Sequence, residues 1–176
     1  MTGSKDGVVA NLFWQYSQDL YSVAGVESSC LNWQNDYQAN VNLLLFCCWS
    51  GEQRKQFTAS EMATVGALID SWDRQVVQQL RQLRQLLKTV NDADSVYAGI
   101  QDDLDAEAFR KQILELELIA ERIVQDSLYQ WWQELPDYIG ADRNTAVIEN
   151  LNGYLLSLDC EGIDTTHPIV RACACG

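Results

Sequence analysis

Glu117 and Glu121 stand one helical turn apart, with Glu115 beside them, a spacing that lets one helix present two carboxylates to a metal ion. Di-iron bundles of that kind also need a Glu-x-x-His unit on each of two helices, and this chain has a single histidine, His167. The blander reading is an acidic helix face opposite Arg81, Arg84 and Lys88. A second acidic group, Asp102-Asp103-Leu104-Asp105, has the composition that holds magnesium against a diphosphate. Its residues are contiguous rather than a turn apart, and they sit where a helix begins, where the dipole favours acids anyway. Asp102, Asp103, Glu117 and Glu121 therefore form only a weak acidic site. Cys160, His167, Cys173 and Cys175 place soft metal ligands near the C-terminus, but Cys173-Ala-Cys175 is tighter than the Cys-x₂₋₄-Cys knuckle of structural zinc. Pairing His167 with Cys47 or Cys48 as a nucleophile would require the tail to fold back onto a buried helix. No glycine-rich phosphate loop is present. The sequence therefore predicts no catalytic residue and no cofactor, with the Cys/His tail as a weak metal candidate.

The elements that position these residues read as helices. Val41 to Trp49 is the most apolar window, interrupted only by Asn42, and is less than half the length of a membrane span. Asn40 is its expected N-cap and Gly51 its expected C-terminal cap, so it reads as a central helix covered on nearly all sides. Before it, Leu12, Phe13, Tyr16 and Leu20 mark one helix, and Val26, Cys30, Trp33 and Tyr37 a second. After it, Thr58-Ala-Ser-Glu61 has the capping-box pattern and opens a helix through Met62, Val65 and Ile69. Two stripes spaced 4-3-4-3 come next: Val76, Leu80, Leu83, Leu87, Val90, then Phe109, Ile113, Leu116, Ala120, Ile123. They predict two long antiparallel helices. Asp142 or Asn144 caps a last helix through Val147, Leu151 and Tyr154.

A chain of 176 residues with 47% hydrophobic content suits one domain with a full core. The expected organisation is a disordered leader over 1–8, a helical domain over 9–158 and an irregular Cys-containing tail over 159–176. The formal net charge of −13 argues against nucleic acid and anionic lipid as partners. No early segment joins a basic start to an apolar run and a small-residue cleavage site, so the expected compartment is the cytoplasm, with its thiols reduced. Six tryptophans are many for this length. Trp131 and Trp132 cannot both face one core from one helix, which makes them the candidate contacts for a protein partner or a second copy of the chain.

Three segments carry a family resemblance: Phe13-Trp14 with Ser17 and Tyr21; Gly25-Val26 with Cys30-Leu31 and Gln34; and Val41-Asn42-Leu43-Leu44-Leu45-Phe46-Cys47 with Trp49. In this order and spacing they resemble a family of small proteobacterial proteins known as domain of unknown function 2390, over roughly residues 11 to 130. The resemblance implies a helical cytoplasmic protein and brings no activity, cofactor or site residue with it. The expected fold is an all-α, single-domain bundle of six or seven helices around the central one. The expected function is a non-catalytic interaction or adaptor protein, the alternative being a helical protein that holds an apolar small molecule between its helices and acts on it through acidic residues.

Overall fold

A computed structural model of the chain describes residues 11–89, 106–136 and 140–174. The expected leader, Asp102, Asp103 and Cys175 lie outside the described residues. Among the described residues the fold is all-α, with seven helices and no strand. They are α1 (Leu12–Tyr21), α2 (Val26–Tyr37), α3 (Val41–Glu52), α4, α5 (Ala106–Gln133), α6 (Arg143–Leu156) and α7 (Pro168–Ala174). Helix α4 has three parts, Ala59–Trp72, a π-helical turn Asp73–Val77, and Gln78–Leu86, and closes in a 3₁₀ turn, Leu87–Thr89. No helix among the described residues is long and apolar enough to cross a membrane.

The chain divides into two compact units, Met1–Met62 with Trp132–Gly176, and Ala63–Trp131. In the first, α3 is buried at every position from Asn42 to Gly51. It packs against α6 most extensively, and against α1, α2 and α7. Phe13, Phe46, Trp49 and Phe57 stack and tilt against one another around it, with centroids 5.2–6.0 Å apart. Asn40 caps α3, its side chain accepting from Leu43 N at 3.2 Å.

Gly51 is not the cap expected from its place in the sequence. It lies inside the helix, and a Cβ there would come within 2.5 Å of the Val147 backbone on α6. Its missing side chain is what lets α3 and α6 approach so closely. Asn150, 1% exposed, locks the same pair: it donates to Cys47 O (3.3 Å) and Lys55 O (2.8 Å) and accepts from Phe57 N (2.7 Å). A single amide thus satisfies the backbone of the turn after α3, as a buried loop requires.

The tail differs from its expected irregular form. Residues 168–174 form α7, and Ile169, Val170 and Cys173 are buried within the first unit. Its three inward residues, spaced one and three apart, are too few to register as a period. Gly25, at φ +88°, holds the turn before α2 and packs beside Pro168 at the start of α7.

The second unit contains most of α4 and α5. The π-helical turn inserts a residue into the ladder and rotates the rest of the helix, so the stripe Val76, Leu80, Leu83, Leu87 does not stay on one buried face: Val77 and Leu87 are buried and Leu83 is exposed. Arg81 pairs with Glu117 and Glu121, and Arg84 with Glu117, the order expected of helices running in opposite directions. Trp72 Nε1 also donates to Ala120 O at 3.1 Å.

Candidate functional site

Each residue singled out for chemistry has a place in this fold, apart from those outside the described residues. Glu117 is 3% exposed and is held by three arginine bonds, from Arg81 Nε (3.0 Å), Arg84 Nε (2.5 Å) and Arg84 Nη2 (3.1 Å). Burial pushes its carboxyl up, but the bonds from Arg84 and Arg81 outweigh this and leave it below the ordinary value. Glu121 accepts from Arg81 Nη2 at 2.6 Å, and desolvation dominates there, raising its carboxyl. Both carboxylates are used up in an ion-paired seam between α4 and α5. With Asp102 and Asp103 outside the described residues, the acidic site reduces to this seam.

The Cys/His set does not come together as ligands. Among the described residues no three His, Cys, Asp or Glu side chains are placed to hold a metal ion. His167 stacks on Trp33 at 4.8 Å, and its Nδ1 accepts from Ile169 N at 3.4 Å, at the start of α7. Desolvation lowers its pKa, partly offset by Asp164, which favours the neutral ring needed to accept. Cys160 is buried in the loop after α6.

Cys173 goes elsewhere, and the chain does fold back onto α3. Tyr16 OH lies 3.5 Å from Cys173 Sγ and 2.7 Å from Glu52 Oε1. Arg143 reaches both Cys173 O (2.8 Å) and Glu52 Oε2 (2.9 Å). Hydrogen bonding from Cys48 lowers the Cys173 thiol, against its burial and helped by Tyr16. The neighbouring thiols move the other way: burial carries Cys30 up to about 12 and raises Cys47 and Cys48. At 2% exposure Cys173 cannot meet a substrate, so the cluster fastens α7 to α1, α3 and α6. Signs of polar fastening readable in the sequence are the amides set among apolar residues, Asn42 in α3 and Asn150 in α6.

Trp131 and Trp132 are both half-buried. Trp132 packs on Trp49 at 4.6 Å, with Lys55 Nζ 4.4 Å above its ring and 3.4 Å from its carbonyl. This cation–π contact compensates a lysine only 6% exposed.

The large exposed apolar side chains are concentrated on the second unit. Phe109 (44%), Leu116 (50%), Ile119 (59%) and Ile123 (43%) form a stripe along α5. Leu83 and Leu86, in the last part of α4, are exposed as well. On each helix these residues lie on the flank away from the Arg–Glu pairs, while Leu114 and Leu118, exposed as well, lie beyond the glutamates on the other flank of α5.

A family model described as Protein of unknown function (DUF2390) matches residues 12–128, more than half of the chain. No curated protein and no solved structure matches it.

Proposed function

Since the chain belongs to this family, whose description assigns no activity, we propose a role from the geometry: a non-catalytic interaction protein of the cytoplasm that docks through the apolar edge of α4 and α5. The observation that carries the proposal is the row of Phe109, Leu116, Ile119 and Ile123, each at least 43% exposed along a single helix. Isolated exposed leucines are ordinary on a folded protein, but several large apolar side chains in a row along one helix flank are the mark of a contact surface. The chemistry-bearing groups support the same reading, because Glu117, Glu121, His167 and Cys173 are all engaged within the fold. Of the tryptophans expected from the sequence as partner contacts, Trp131 and Trp132, the second is packed on Trp49 and under Lys55 within the fold. Free thiols at Cys30, Cys47, Cys48, Cys160 and Cys173 suit a reducing compartment.

The test is a photo-crosslinking amino acid at Ile119 in the full chain, expressed in cells, with Leu156 on α6 (61% exposed) as the control position. Position 119 should give a discrete higher-mass adduct that position 156 does not. Irradiation that leaves both variants unmodified, or marks both alike, removes the α4–α5 edge as a docking surface.

A further inference from the structure

The apolar edge of α5 has the pattern of a helix partner. Phe109, Gln112, Leu116, Ile119 and Ile123 are spaced 3-4-3-4, which is the seam one helix offers another. The other residues of that register, Ile113 and Ala120, are already buried, so a new helix would lie against the exposed flank alone.

The charges bordering that flank are arranged with a symmetry of their own. Glu115 and Arg122 sit on the same side of α5, seven residues apart, with Leu118 and Ile119 midway between them. If a second α5 lies antiparallel across a two-fold axis at that midpoint, Glu115 of each copy faces Arg122 of the other. Both pairs then form at once, which is the reciprocity an isologous interface requires. Arg122 also serves Asp126 within its own helix, its Nε donating at 3.0 Å.

Net charge selects the same arrangement. Two copies of a chain carrying −13 repel one another in general, so only a locally neutral face can bring them together. The stripe is such a face: its polar position is Gln112, the bordering Lys111 and Arg122 balance Glu115 and Asp126, and Gln79 and Gln82 border Leu83 and Leu86. We infer that the partner on this surface is a second copy of the chain, joined by antiparallel α5 helices with Leu116 and Ile119 at the centre and reciprocal Glu115–Arg122 pairs at the rim. The inference rests on the docking surface proposed above and names its occupant.

Sedimentation velocity on the purified full-length protein, from about 1 to about 100 μM, tests it. Wild type should move from monomer to dimer with concentration, and Ile119→Glu should stay monomeric with an unchanged far-ultraviolet spectrum. Glu115→Arg and Arg122→Glu should each weaken dimerisation by about tenfold, by bringing like charges together. The double variant carrying both should recover to within about threefold of wild type, because the pairs are re-formed in reverse. A wild type that is monomeric throughout, a dimer indifferent to Ile119→Glu, or a double variant as weak as the singles would each overturn the inference. Crosslinking from position 119 to a different protein, with a monomeric purified chain, would leave the docking surface standing and remove only the second copy.

Discussion

Two residues show how little spare room the packing has. A methyl group at Gly51 meets Val147 N and Cα at 2.5 Å, and both are backbone atoms that cannot turn aside. Gly51→Ala should therefore destabilise the protein by at least about 2 kcal/mol, the scale of overpacking, despite the better helix propensity of alanine. A denaturant melt checks this, and unchanged stability would mean that α3 and α6 do not meet at Gly51. Glu117 makes the opposite demand: its removal strands Arg84 and leaves Arg81 with Glu121 alone, and these arginine side chains are 18% and 16% exposed. Glu117→Ala should cost about 3 kcal/mol, as breaking a buried pair does. The pH dependence has a definite sign. Because the folded pKa lies below the ordinary 4.5, the stabilisation is present above 4.5 and is lost as pH falls through the lower folded value. Thermal melts from about pH 6 down to about pH 3 should fall less steeply for Glu117→Gln than for wild type. Parallel slopes would show that the arginines are not holding the carboxylate.

Among the elements, α7 carries the clearest consequence. It buries Ile169, Val170 and Cys173, and Arg143 binds the Cys173 carbonyl. Deleting residues 168–176 should lower the melting temperature by several degrees, since each buried aliphatic side chain contributes about 1.5–3 kcal/mol. A melting temperature unchanged by the deletion would return the tail to the irregular role that its lack of periodicity suggests. Elements whose start depends on local chemistry were legible in the sequence. Asn40 caps α3, Asp142 accepts from Thr145 N at 3.1 Å to cap α6, and Thr58 and Glu61 bond reciprocally at 2.7 and 3.2 Å. Features that depend on distant partners were not. The docking of α7, the π-helical turn and the Cys48–Cys173 contact bring together residues far apart in the chain or alter the phase of a helix from within. The α5 stripe lies between these cases. Its 4-3-4-3 spacing marks a helix, but spacing alone treats Phe109, Leu116 and Ile123 as equal to Ile113 and Ala120. Only the facing helix divides them, because one neighbour can cover a narrower band than the whole stripe. The Glu117 seam was legible as an acidic face opposite arginines, while its burial was not.

At the scale of the molecule, the division into two compact units predicts that the stability of each can be addressed separately. The first unit depends on the α3–α6 contact, the Asn150 clip and the seating of α7; the second depends on the Arg–Glu seam and the Trp72–Ala120 bond. Amide hydrogen exchange read peptide by peptide should therefore answer the two lesions differently. Glu117→Ala should speed exchange in residues 63–89 and 106–131 while leaving α3 and α6 protected. Deletion of 168–176 should open peptides of α1–α3 and α6 and leave the α4–α5 seam as protected as in wild type. If either lesion instead loosened every helix equally, the two units would be unfolding as one cooperative body, and the separate accounting would fail. If the units do respond separately, the exposed edge of α5 belongs to a unit whose own core is narrow: Ile113, Ala120, Val124 and Leu128 are buried on that helix while Phe109, Leu116, Ile119 and Ile123 stay exposed. A covering helix would add the missing apolar contact to that unit. Dimerisation should then slow exchange in residues 106–131 as concentration rises and leave α3 unaffected, which ties the stability of the second unit to occupation of its docking edge.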